Sequence, residues 1–401
     1  MKPLPTLRVL LVGVTLLGLP AAADACLWDY DTLKQERARF PSTLELITGK
    51  FLRHSPEFYQ WRIKDRLEKL KADPGNMGLH DDLAVAYQKT GQADKAIDVM
   101  LAKGKVKPGV YETYSNLGTF YILKGEFAKG LPYIDKALAV NPDAHFGREK
   151  YQKWLVEYAT PAPGRSLSFP MQQVLEDKYH EPAPRNFRHW LLREVKAEDE
   201  RFSKLEHIQP AVKGILGMIR FADHDNPLLL EALGDLLSSH EGLSPTVDAK
   251  RLAARCYLLA SYKMTDDKAK SRYRTLAERT LELQTVAGTK QELSGDNKLP
   301  VIEAELKGEM ADAADWYAGV REKEVAWIAA GANVEEEFDK LYTDEPASVT
   351  TSPEPLLTHE QQVTASIVGA IAGLIVVVIV AVWGLRRLAR LIDRKPNEPR
   401  G

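Results

Sequence analysis

Only two of the 401 residues are cysteine, Cys26 and Cys256. A disulfide framework is therefore excluded, and at most one bridge, between these two, could form within the chain. Neither sign of charge dominates: 54 Lys and Arg face 56 Asp and Glu, so there is no basic excess for nucleic acid and no acidic tail. Short catalytic signatures are missing too. The chain has no G-x-x-x-x-G-K-[ST] phosphate loop, no G-x-G-x-x-G, no H-E-x-x-H, no C-x-x-C and no G-x-S-x-G elbow. Alternating β-branched runs are few, which favours helix almost throughout. These absences lead to the expectation of a non-enzymatic all-α protein with no cofactor and no metal.

Both ends carry addresses. The stretch MKPLPTLRVLLVGVTLLGLPAAADAC places Lys2 and Arg8 before an apolar run and then small residues, the layout of a secretory signal peptide over 1–25. Cleavage after Ala23 or Ala25 fits. The second would leave Cys26 first, but Ala23-Asp24-Ala25 departs from the Leu-Ala-Gly pattern that precedes a lipidated cysteine, so lipidation is the minor reading. Near the other end, VTASIVGAIAGLIVVVIVAVWGL begins at Val363, ends at Leu385 and holds no charge. Its length as a helix is about 34 Å, enough to span a bilayer. Arg386, Arg387, Arg390, Arg394 and Lys395 follow and mark the cytoplasmic side. The expected topology is one span, with the bulk of the chain extracytoplasmic and the basic tail (386–401) inside. Gly369 and Gly373 form a small-residue spacing through which two spans could pair as a homodimer.

Between the ends the chain repeats itself. Residues 116–142 read NLGTFYILKGEFAKGLPYIDKALAVNP, and 34 positions upstream stands DLAVAYQKTGQADKAIDVMLAKGKVKP. Leu83 falls on Leu117, Ala84 on Gly118, Tyr87 on Tyr121, Gly91 on Gly125, Ala96 on Gly130, Met100 on Ile134 and Pro108 on Pro142. Small residues at 84, 96, 118 and 130 let two helices approach closely, while Gly91 and Gly125 sit where a first helix must turn and the prolines stop the second. This pair resembles the tetratricopeptide repeat, with His80 and Tyr114 where that family usually has Trp. The resemblance covers residues 77–144. It implies an α-α superhelix whose first helices line a groove for peptide segments of partner proteins. By position the groove residues would be Asp81, Val85, Gln88 and Lys89, then Ser115, Asn116, Thr119, Ile122 and Leu123. Asp81 would repel a terminal carboxylate, which argues against C-terminal capture.

The flanking segments extend the helical reading. Ser42-x-x-Glu45 has the form of a capping box, and Ser55-Pro56 a cap before a first-turn proline, within an N-terminal helical segment over 26–75. The repeat pair and a helix offering Phe146, Tyr151 and Trp154 to close the array occupy 76–158. A Pro-rich stretch at 159–187 marks a domain boundary or a long insertion. Over 188–342 the helical character resumes, with Leu233-Gly234 and then Ala253, Tyr257 and Ala260 as a degenerate third repeat, and Trp316, Val320 and Trp327 on one helical face. A Pro/Ser/Thr-rich stalk at 343–362 leads to the span. Asp223-His224-Asp225 is the best metal candidate, but Asp225-Asn226-Pro227 also reads as a capping side chain followed by proline, and that reading is preferred. The opening CLWDYDTLKQERARFPSTLELITGKF resembles exported bacterial repeat proteins, a likeness that implies no activity. The expected function is a periplasmic protein-interaction scaffold at the bacterial inner membrane. The alternatives are an adaptor or assembly subunit of a membrane complex that uses its span, or an enzyme with its site in 188–342.

Overall fold

The computed structural model describes residues 29, 39–142, 147–160, 168–171, 186–196, 203–238, 247–284, 290–291 and 295–344. The signal peptide, Cys26, the stalk beyond residue 344, the span with Gly369 and Gly373, and the basic tail lie outside these residues. Among the described residues no helix is long and apolar enough to cross a membrane. The described residues are all-α apart from two-residue strands at Leu283–Gln284 and Lys290–Gln291, which pair antiparallel.

The helices are α1 (Thr43–Thr48), α2 (Pro56–Ala72), α3 (Met77–Lys89), α4 (Ala93–Val106), α5 (Tyr111–Leu123), α6 (Phe127–Val140) and α7 (Arg148–Ala159). They continue as α8 (Phe187–Glu194), α9 (Ser203–Phe221), α10 (Pro227–Leu237), α11 (Val247–Tyr262), α12 (Asp267–Leu281), α13 (Leu299–Ala330) and α14 (Val334–Asp344). Their ends follow local chemistry. Ser42 and Glu45 exchange hydrogen bonds in a complete capping box, and Ser55 Oγ accepts from Phe58 N at 3.2 Å just before Pro56. Gly91 and Gly125 take the left-handed backbone (φ 75° and 74°) at the turns between α3 and α4 and between α5 and α6. Helices α4 and α6 each stop two residues before Pro108 and Pro142.

Small residues set the spacing between paired helices. A Cβ on Gly130 would come within 2.8 Å of Gly118 O, and one on Gly234 within 2.8 Å of Tyr257 Cε1. The second contact seats α10 against α11, the pair that the spacing at 233–260 predicts. Helix α7 does more than close the array. It packs on α9, where a Cβ on Gly214 would meet Tyr151, and the pairing of helices thus continues past the second repeat. The Pro-rich stretch accordingly lies between two packed helices, and one buried cluster takes in Tyr151 and Leu155 before it and Ile215, Leu233 and Tyr257 after it. Leu46, Ile47 and Phe51 join the same cluster from the N-terminal segment.

Helix α10 is buried along its whole length. Its two buried acids hold two points of the Pro-rich stretch: Glu231 accepts from Met171 N at 3.0 Å, and Asp235 from Phe187 N, at its end, at 2.9 Å. Burial, with Glu231 nearby, keeps the Asp235 carboxyl well above the usual carboxylate range. Cys256 is a free thiol, fully buried in this core, and burial raises its pKa.

The long α13 returns to the start of the chain. It packs on α1 and α2, and Val320 with Phe338 of α14 covers Leu52, with Trp316 and Trp327 packed around them. Two polar devices fasten this closure. His54 Nδ1 lies 2.6 Å from Glu324 Oε1, while Ser55 N donates to Glu324 Oε2 at 2.7 Å, all of it buried. Arg62 joins Asp29 and Glu335, and Arg66 joins Asp82 and Glu335.

Candidate functional site

The groove expected along α3 and α5 is not open. Asp81, Val85, Ser115, Asn116, Thr119 and Ile122 are buried, and only Gln88, Lys89 and Leu123 keep partial exposure. Each buried position has an internal reason. Lys103 Nζ sits 2.6 and 2.5 Å from the two carboxylate oxygens of Asp81, whose pKa burial pushes up to about 7 although Lys103 opposes the rise. Thr119 Oγ1 accepts from Gln152 Nε2 at 3.1 Å, and Asn116 Nδ2 approaches Met100 Sδ at 3.8 Å. Ile122 packs with Ile134 and Val156. On α5 the cover is α7, whose Glu149 and Gln152 hydrogen-bond Tyr111 and Thr119 and whose Val156 shares a buried cluster with Ile122.

Val85 and Lys89 instead line a cavity of about 200 Å³ where α3 meets the α1–α2 connection and the α9–α10 turn. Its walls also include Phe51, Arg53, Tyr59, Arg220, Phe221, Asp223, His224 and Tyr317. Lys89 Nζ donates to Ala222 O at 2.5 Å. The Arg53 guanidinium lies 3.6 Å from the centre of the Tyr317 ring, and its Nη1 donates to the carbonyls of Gly49 and Phe51. A wider cleft of about 700 Å³ lies against the same Arg53, His224 and Tyr317, floored by Met310, Ala313, Ala314 and Ala318 of α13.

Asp223, His224 and Asp225 fall at the cavity's edge with potential ligand atoms within 4.8 Å of one another. Their roles in the structure are nonetheless those of a turn. Asn226 caps α10, its Oδ1 accepting from Leu228 N at 3.0 Å and Leu229 N at 3.3 Å ahead of Pro227, and Asp225 pairs with Lys263. His224 stands over the backbone of Gly49, where a Cβ would come within 2.6 Å of its Nε2. Burial, with the Arg53 cation beside it, lowers the His224 pKa to about 4. That cation also opposes a divalent ion at the same place.

No family model matches this chain, and no curated protein is significantly similar to it.

Sequence reasoning missed Arg53, Arg220 and Tyr317, because the residues that form the cavity come from segments more than 250 positions apart. A second missed feature did leave a signal. Lys95 Nζ lies 5.3 Å from the Tyr87 ring, and one period later Lys129 Nζ lies 5.7 Å from Tyr121. Tyr121 stacks on Tyr133 at 5.8 Å, and Lys136 reaches both Tyr133 and Tyr114. Exposed lysines thus recur over tyrosines along one face of the repeats, where Tyr87 is buried and Tyr114, Tyr121 and Tyr133 are half-buried.

Proposed function

We propose that this chain is a non-catalytic protein-interaction scaffold, a tetratricopeptide-like α-α superhelix held on the periplasmic side of a bacterial inner membrane. In this reading the signal peptide exports the chain, the apolar run at 363–385 anchors it, and the basic tail stays inside. The observation that carries the proposal is the run of paired helices spaced by small residues, which extends from α3 through α11. Because most of the expected groove is filled internally, partners would dock on the face with the Tyr–Lys contacts. Tyrosine offers large, rigid contact area of the kind that dominates interfaces, and the lysines favour an acidic partner.

The test is photo-crosslinking in cells from benzoylphenylalanine placed at Tyr121 or Tyr133, with Thr119 as a buried control. The expected result is a protein adduct of fixed mass from the tyrosine positions, lost in Lys129→Glu. No adduct from Tyr121, Tyr133, Gln88 or Leu123 would refute a scaffold acting through its repeats.

A further inference from the structure

Buried and half-buried cations are costly unless a carboxylate answers them. In most of this protein one does: Arg62, Arg66, Lys103 and Arg255 each meet a carboxylate within ion-pair distance. Arg53 and Lys89 are exceptions. Both are partly buried, both line the same cavity, and among the described residues neither has a carboxylate within ion-pair distance. Their hydrogen bonds go to backbone carbonyls, at Gly49 and Phe51 for Arg53 and at Ala222 for Lys89. Arg220 is also in the wall, its guanidinium donating to Arg39 O and lying against the Phe40 and Phe221 rings.

Among the described residues, the carboxylates that line this space are Asp29 and Asp223. Asp29 is already engaged by Arg62 at 3.2 Å. Asp223 is exposed at the rim, and it and Asp225 act on Arg53 only at longer range. His224 is neutral at physiological pH. The rest of the lining is largely apolar or aromatic, including Phe51, Val85, Phe221 and Tyr317.

We infer that this cavity is a binding site for a small organic anion, its carboxylate or phosphate held between Arg53 and Lys89 and its apolar body against the aromatic wall. The guanidinium fork suits either oxyanion, and Lys89 supplies a point charge from the opposite helix. With about 200 Å³ of room and roughly 30 Å³ per water-sized group, the ligand has on the order of seven heavy atoms. The site is independent of the Tyr–Lys face and of any protein partner.

Isothermal titration of the full chain at low ionic strength with benzoate, succinate and inorganic phosphate tests this. Saturable 1:1 binding of at least one anion is expected. Lys89→Met and Arg53→Met should each weaken it at least about tenfold, the worth of one charge-assisted hydrogen bond. Lys124→Met, at an exposed lysine paired with Asp94 and Glu126, should leave binding unchanged. Thermal melts of each variant separate lost binding from lost folding, because Lys89→Met keeps the apolar stem. Preference for an organic acid over inorganic phosphate would assign the apolar wall its role, whereas phosphate alone would restrict the inference to the oxyanion. Absence of saturation by all three anions at 10-millimolar order, or equal affinity in a folded Lys89→Met, would overturn the inference.

Discussion

Replacing Glu324 with alanine should weaken the protein more than any surface substitution. The carboxylate accepts from Ser55 N at 2.7 Å and meets His54 Nδ1 at 2.6 Å, and both side chains are essentially inaccessible to water. The His54 ring is held in place, stacked 3.6 Å from Phe58 and tilted 4.0 Å from Phe338. Two hydrogen bonds to a charged group contribute about 1.5–3 kcal/mol each. Removing one member of such a buried pair costs about 3–5 kcal/mol, because the other loses its charged partner in a site closed to water. A loss near 4 kcal/mol is a large fraction of the roughly 5–15 kcal/mol that holds a domain folded. Urea denaturation followed by circular dichroism measures it, and tryptophan fluorescence adds a local probe at Trp316 and Trp327. The double change His54→Phe with Glu324→Leu should recover part of the loss, since an apolar pair no longer leaves a charge unanswered. A Glu324→Ala loss below about 1 kcal/mol would show that water reaches the pair, and the reasoning would fail.

Other perturbations separate backbone, packing and protonation effects. Gly130→Val should cost about 1–3 kcal/mol through overpacking against Gly118 and Ile122, read from the same urea curves. Gly125→Ala, at a left-handed turn with open space around it, should cost only about 1 kcal/mol through backbone strain. His224 carries a folded pKa near 4 against 6.5 for the free group, so between these values the unfolded chain binds the extra proton. Stability from this residue is therefore complete above pH 6.5 and lost as pH falls towards 4, by up to about 3 kcal/mol. His224→Asn should flatten that limb of the stability–pH profile.

Helix ends and close helix contacts were legible because their causes are local. Ser42 with Glu45, Ser55 with Pro56, Gly91 and Gly125 each announce a terminus within four residues, and Gly118, Gly130 and Gly234 each stand where a neighbouring helix comes close. The state of the groove was not legible. Asp81, Ser115 and Thr119 occupy groove positions in the 34-residue register, yet Asp81 is engaged by Lys103 of α4 and Thr119 by Gln152 of the helix that succeeds the second repeat. That helix, at 148–159, reads equally well as a terminal cap or as the next member, and its partner α9 stands beyond the whole Pro-rich stretch. The cavity is harder still. Arg53 looks like an ordinary surface charge until Tyr317 and His224 are placed beside it. The Tyr87–Lys95 and Tyr121–Lys129 pairs could have been found, because both fall eight residues apart in the repeated register.

The return of α13 to α1 and α2 changes how such a stack can come apart. A linear array of helix pairs unzips from its termini, since each unit touches only its neighbours and the last has one neighbour fewer. Here the first helices are bound by residues about 270 positions later, through Glu324 and Glu335, so the usual starting points for fraying are tied together. Amide exchange in α3 and α5 would then require opening of the closure first, and their protection should approach that of α10 in the core. The protein would behave mechanically as a clasped band rather than a spring, trading the pliability of open repeat arrays for a fixed shape.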